Sequence, residues 1–184
     1  MDEQSRQFLL EKLDASEAEM MAGLEGMSAE EAAFRPANGA WTIAECLEHL
    51  VTTETLSLRG MMKRAAVLDE PLVRREHSAA LFRNFSVRSG KIEAPERVRP
   101  SGRYSTLAES IAAFREIRAR IREYVADGST PDLDSLVLPH PVFGELTNYE
   151  WVLVMAAHVR RHLEQIREIR RQFQQSRTAS AMAD

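Results

Sequence analysis

Apolar residues recur along this chain at spacings of three and four rather than two, the pattern of amphipathic helices, and no convincing alternating run predicts a strand. The first stripe, Phe8, Leu9, Leu13, Met20 and Leu24, predicts a helix from about Asp2 to Gly23. A connection from Met27 to Ala40 follows, in which Pro36, Asn38 and Gly39 break helical continuation. Thr42 then opens a second helix. Its hydroxyl can accept from the backbone three residues on, where Glu45 can reach back, which is a capping box. Ile43, Cys46, Leu47, Leu50 and Leu58 carry that helix inward until about Ala66 or Leu68.

From Asp69 to Tyr104 the periodicity loosens, with Pro71, Gly90, Pro95, Pro100 and Gly102 spread through it and only a weak helical signal from Leu72 to Phe85. A loop of that length in a compact domain is usually functional or poorly ordered. A third helix starts near Ser105 or Thr106, uses Leu107, Ile111, Phe114, Ile117, Ile121 and Val125, and stops at Gly128. The stretch from Ser129 to Leu146 holds Pro131, Pro139, Pro141 and Gly144 yet stays apolar, so it reads as an ordered, partly buried loop. Thr147 with Glu150 repeats the capping box and starts a fourth helix, with Trp151, Met155, His158, His162, Ile166 or Gln165, Ile169 and Phe173 facing inward. The result is an all-α four-helix bundle in one domain, residues 1–173, followed by a polar tail, residues 174–184, expected to fray.

Composition narrows the function classes. The 184 residues carry 24 Lys and Arg against 28 Asp and Glu, a formal charge of −4, and 44% hydrophobic residues, which suits one ordinary soluble domain. The single cysteine, Cys46, rules out a disulfide framework, thiolate-rich zinc sites and iron–sulfur clusters. The polar start Met1 to Gln7 lacks the apolar core of a signal peptide, and the longest apolar run, Trp151 to Ala157, is far too short to span a bilayer. A cytoplasmic location and no membrane contact are therefore expected. Nucleic-acid binding is not expected either, since it needs a concentrated basic face. The arginines between Arg160 and Arg177 sit towards a helix carboxyl end, where the dipole favours cations.

The candidate chemistry lies in five histidines, His49, His77, His140, His158 and His162. His158 and His162 stand four apart, so a helix stacks them one turn apart on one face where two imidazoles can converge on a metal. An isolated pair of this kind also arises by chance, but these two occupy core-facing positions, and polar rings in an apolar seam need partners. His49, about two turns into the second helix, could add a third imidazole from a facing helix. Val159 follows His158, so the Glu of the zincin helix motif is absent, and no histidine has a Glu three positions before it as di-iron bundles require. Gly-rich phosphate loops and a Gly-x-Ser-x-Gly elbow are missing too.

The segment Trp41 to Leu50, the run His140-Pro141-Val142-Phe143-Gly144-Glu145-Leu146-Thr147, and Trp151 through His158, His162, Gln165 and Ile166 together resemble the DinB-like superfamily. The resemblance extends to Ala94-Pro95-Glu96 and the arginine-bearing third helix, covering most of residues 1–173. It implies a four-helix bundle of up-down-down-up topology, often a homodimer, holding a divalent metal through one histidine of the second helix and two of the fourth. On matching positions the metal ligands are His49, His158 and His162. Zinc or nickel is implied first, with iron or manganese also compatible, and a low-molecular-weight thiol as a further cofactor. Relatives act as thiol-dependent transferases or isomerases, or are described as metal-dependent hydrolases. The small-molecule substrate is not implied.

Three neutral imidazoles leave a divalent charge uncompensated, so a bound water loses its proton near neutral pH and a bound thiol is deprotonated outright. Hydrolysis and thiol transfer thus share one site, and a non-catalytic metal-binding or interaction bundle is the alternative. A pocket reaching the site between the Ala94 to Tyr104 and Val137 to Phe143 loops separates enzyme from module. Among other residues, Cys46 reads as packing and Glu45 as the cap rather than a support for His49. His140 reads as loop structure, His77 as solvated, and Trp41 and Trp151 as core or pocket walls. Arg115 and Arg118 either hold an anionic group or cover a solvated helix face.

Overall fold

Side-chain caps fix where the long helices begin. In the computed structural model, which describes residues 1–88, 93–127 and 132–183 with side chains through residue 179, Asp2 caps α1 (Glu3–Leu24) by accepting from Ser5 N. Complete capping boxes, Thr42 with Glu45 and Thr106 with Glu109, open α3 (Ile43–Arg64) and α5 (Leu107–Ala126). Thr147 and Glu150 exchange the same two bonds at the start of α6 (Asn148–Ala183). Two shorter helices lie between these, α2 (Ala29–Ala33) and α4 (Arg75–Ser86).

Side-chain pairs give the helix directions. Arg6 Nη1 donates to Val125 O at 2.5 Å and Arg118 Nη1 to Ser16 Oγ at 3.1 Å, so α5 runs backwards as α1 advances. Arg160 pairs with Glu19 at 2.5 Å and Arg170 Nη1 reaches Gly23 O at 2.9 Å, so α6 runs parallel to α1. On α3, His49 meets His158 while Gly60, eleven residues on, lies against Leu138 upstream of α6, so these two helices are antiparallel. The order is up-down-down-up. The bundle closes over fully buried side chains from all four helices, among them Leu9, Leu47, Phe114, Ile121, Val152 and Ile166. No helix among the described residues is long and apolar enough to cross a membrane.

The structure corrects the sequence reading of the fold in three places. Phe8 is 37% exposed rather than buried, and Lys12 Nζ sits 4.7 Å from its ring centroid. The break between the first two main helices contains α2, capped by Ser28 accepting from Glu31 N. A small antiparallel sheet replaces the expected loop, in the order β1 (Ala66–Val67), β2 (Leu136–His140), β3 (Gly144–Thr147). Its signal is absent because Leu136, Val137 and Leu138 are buried in succession, leaving nothing to alternate. β1 pairs only with Leu136 and Val137, and a proline such as Pro139 is tolerated where one side of a strand is open. Beyond Phe173, where the bundle domain is expected to end, α6 continues to Ala183. The stop expected at Gly128, the breakers Gly90 and Pro131, and the terminal Asp184 lie outside the described residues.

Candidate metal centre

Three helices and one loop converge on a single cluster. α3 presents His49, and α6 presents His158 and His162 one turn apart. The three offer ring nitrogens that all lie within 4.8 Å of one another. His158 Nε2 stands 3.4 Å from His49 Nε2 and 3.1 Å from His162 Nε2. His49 and His162 are buried and His158 is partly so.

The tautomer of His49 follows from its second bond. Its Nδ1 lies 2.7 Å from the carbonyl oxygen of Val98, which can only accept, so Nδ1 carries the proton and Nε2 turns a lone pair inward. Val98 ends a short 3-10 turn, Glu96–Val98, and the chain beyond it is tied to α3. Glu48, 4% exposed and next to His49, accepts from the backbone N–H groups of Ser101, Gly102 and Arg103 at 2.7, 3.0 and 3.2 Å. Neither Glu48 nor the Val98 carbonyl is signalled by the sequence reading. The pair Glu48-His49, set between Leu47 and Leu50, is the clue that could have found it.

Aromatic rings wall the cluster. Trp41, just ahead of the Thr42 cap, stacks on His162 with centroids 6.3 Å apart and planes at 11°, and sits 4.8 Å from His49. Phe85 of α4 stacks on His158 at 5.6 Å. Glu150 seats α4, because its buried carboxylate accepts from Thr147 N and Ser78 Oγ and meets His77 Nδ1 at 2.8 Å and Arg74. His77 is therefore half-exposed but paired rather than merely solvated.

The donor set suits a divalent cation. Burial lowers the basicity of His49. It does so more strongly at His158, reinforced by His162 and His49, and at His162, reinforced by His49 and Arg161. One shared proton cannot satisfy three inward-facing nitrogens, whereas bonds of about 2.0–2.1 Å to a tetrahedral ion put nitrogen ligands roughly 3.3 Å apart. His162 Nδ1 is buried without a hydrogen-bond partner of good geometry, Gln165 being the neighbouring polar side chain on the same pocket wall. Among the described residues the cluster contains no carboxylate and no cysteine.

A pocket of about 1190 Å³ opens onto the imidazoles, and Ala94, Pro95 and Val98 on one side and Leu138, His140 and Val142 on the other line it. The remaining singled-out residues divide between wall and core. Trp151 is 6% exposed, lines the pocket and donates its indole N–H to Leu138 O at 2.9 Å. His140 Nδ1 accepts from Val142 N and Phe143 N at 3.1 and 3.2 Å, closing the β2–β3 turn ahead of Gly144, whose φ of +71° suits a residue without Cβ. Cys46 is fully buried in the core, where burial pushes its thiol up out of the reactive range. Glu45 serves the cap and pairs with Arg35 at 2.5 Å. Arg115 is exposed. Arg118 instead lies in the core, its side chain and that of Glu54 both fully buried and joined at 2.6 Å. Burial pushes the Glu54 carboxyl up to about 7 even with Arg118 beside it.

Known proteins share this frame. The family model described as the DinB superfamily matches residues 12–166. A curated relative, the uncharacterized protein YuaE of Bacillus subtilis (strain 168), is 28% identical over 153 residues, spanning 83% of this chain and 91% of that protein. YfiT from Bacillus subtilis, described as a probable metal-dependent hydrolase with an unusual four-helix bundle topology, superposes with a TM-score of 0.60 at 15% identity, over 94% of this chain and 90% of its own. TT2238, a four-helix bundle protein, superposes with a TM-score of 0.55 at 24% identity, over 89% and 98%. At such identities these two structures establish the fold alone.

Proposed function

The chain belongs to the DinB superfamily, and on that premise we propose that it is a divalent-metal-dependent hydrolase acting on a small molecule. The observation that carries this reading is the convergence of three imidazole nitrogens within 4.8 Å at the wall of an open pocket. His49, His158 and His162 are the ligands, zinc or nickel the first candidates among metals that imidazole suits. When bound, such an ion supplies Lewis acidity, bringing the pKa of an adjacent water towards neutral.

The chain's own residues do the rest. Val98 fixes the His49 tautomer, which keeps Nε2 free to ligate. Trp41 and Phe85 lie against the imidazoles and exclude water from those sides. Three protein ligands leave positions open to a reactant, as catalytic sites do and closed structural sites do not. The pocket meets that requirement, which favours an enzyme over a binding module. YfiT, which shares the fold, supports hydrolysis as the class of reaction.

A thiol-dependent transferase is the second reading, and pocket size favours it. At about 1190 Å³ the cavity exceeds the roughly 300–1,000 Å³ typical of a site for one small ligand, leaving room for a thiol and an electrophile together. Metal-loaded protein assayed on 4-nitrophenyl esters, with and without added thiol, separates the two. Thiol-independent ester cleavage that disappears in His158→Ala supports hydrolysis. Turnover only when thiol is present supports transfer. No turnover of any ester or electrophile by fully loaded protein overturns both.

A further inference from the structure

The charge of the pocket runs against that of the chain. Among the described residues, seven Lys and Arg line it against two Asp and Glu, in a protein of net charge −4. One of those carboxylates, Glu54, is held by Arg118, and the other, Glu93, is exposed at the rim. The helix dipole accounts for Lys63 and Arg64, which lie in the last turn of α3. It also favours Arg88, just past the end of α4, but does not account for Arg59, Arg97, Arg99 or Arg161.

Four of these stand next to the machinery of the imidazole cluster. Arg97 and Arg99 flank Val98, the residue that holds His49. Arg161 lies between His158 and His162 in sequence, and it lines the pocket together with Arg88 and both histidines. Arg161 Nη1 donates to Val87 O at 2.9 Å, so the guanidinium is anchored as well as charged. Arg88 is paired with Glu168, but that pair is partly exposed at both ends and such pairs contribute little. Arg99 Nε donates to Ala94 O at 3.0 Å. Among the described residues Arg97 has no carboxylate partner. A divalent ion on three neutral ligands adds two further positive charges that no carboxylate of the cluster offsets.

We propose that the pocket takes a small molecule carrying a carboxylate or phosphate group, held by the arginines of the 97–99 turn and the Arg88 and Arg161 pair while its reacting centre meets the three histidines. The inference rests on the metal-enzyme reading for the role of the anion, but the anion site itself can be tested without metal. A pocket with this charge concentrates anions and disfavours cations, and guanidinium forks match planar carboxylate and tetrahedral phosphate oxygens.

The test has two arms on the full chain. In the first, metal-free protein is titrated calorimetrically with succinate, inorganic phosphate and the neutral analogue succinamide, for wild type, Arg97→Glu and Arg161→Gln. The exposed position of Arg97 makes its variant safe for folding. The proposal expects one of the two anions to bind tighter than succinamide, and the preferred anion identifies the group. It expects charge reversal at Arg97 to weaken that anion about fivefold or more, leaving succinamide unchanged. Equal binding of succinate, phosphate and succinamide, or loss of none of the anion preference in either variant, overturns it. In the second arm, cobalt-loaded protein is titrated with 3-mercaptopropionate and 2-mercaptoethanol and followed by the sulfur-to-cobalt absorption. Comparing the ratio of the two dissociation constants between wild type and Arg97→Glu cancels the intrinsic difference between the thiols. A ratio of the 3-mercaptopropionate constant to the 2-mercaptoethanol constant that rises in the variant supports the proposal, and an unchanged ratio contradicts it. If the first arm succeeds while no cobalt binds, the anion site stands and the metal-enzyme reading fails.

Discussion

His49 Nδ1 stands 2.7 Å from the carbonyl oxygen of Val98. This contact joins α3 to a segment that lacks helical periodicity and gives that segment a purpose, because it fixes which nitrogen of His49 faces the other two imidazoles. Glu48 makes the contact durable by binding three successive backbone N–H groups just beyond it. The side chain of Glu48 thus positions the His49 imidazole without bonding to it.

Replacing Glu48 tests that chain of support. Glu48→Ala releases the 101–103 backbone from α3 and should weaken metal binding about 10- to 100-fold, the usual consequence of losing an outer partner of a ligand. Far-ultraviolet circular dichroism should stay at the wild-type level, since α3 keeps its Thr42 and Glu45 capping box. Competition with a chromophoric chelator measures the affinity. An unchanged dissociation constant would show that Val98 holds His49 without help from Glu48.

The buried pair Glu54 and Arg118 governs stability rather than chemistry. Arg118→Met leaves Glu54 without its charge partner in the core and should cost about 3–5 kcal/mol in urea unfolding. Adding Glu54→Leu removes the orphaned charge, so the double variant should recover much of that loss. Strictly additive losses in the two single variants and the double would show that the pair is uncoupled.

A stability loss in mild acid should trace in part to His140. Burial holds its pKa down at about 4, whereas an unfolded histidine titrates near its ordinary 6.5. Between those values the unfolded chain takes up a proton that the folded turn excludes, so the contribution is complete above pH 6.5 and fades as pH falls towards 4. Protonation would also remove the acceptor that Val142 N and Phe143 N use. His140→Asn keeps an oxygen near the Nδ1 position without a titration. Metal-free wild type should lose about 1–2 kcal/mol more than this variant between pH 7 and 4.5. Parallel pH profiles for the two proteins would remove His140 from the account.

The four long helices were legible because local signals agreed: stripes at spacings of three and four, and Thr-to-Glu capping boxes at positions 42 and 147. His158 and His162 were legible for the same reason, as polar residues on an apolar stripe. Other parts depend on partners remote in sequence. β2 hides its strand character by being covered on successive residues, and α4 takes its place from Glu150, 64 residues beyond its last residue, Ser86. Glu54 sits on the stripe of Leu47, Leu50 and Leu58, and Arg118 on that of Phe114, Ile121 and Val125. A charge of each sign in two facing apolar stripes was a readable sign of a buried pair, which the reading of Arg118 as surface or anion ligand overlooked. The Val98 carbonyl left no signal at all, because a backbone acceptor has no residue type.

The account turns on His49, His158 and His162 sharing one ion. Plasma mass spectrometry of untagged protein, wild type beside His49→Ala, His158→Ala and His162→Ala, tests this most directly, each sample also incubated with zinc, nickel, manganese and iron before desalting. The expected result is near one metal per wild-type chain and loss of most of it in every variant, with the helical circular dichroism retained. A wild type that stays metal-free after all four incubations, or variants that keep their metal, would contradict the three-histidine centre.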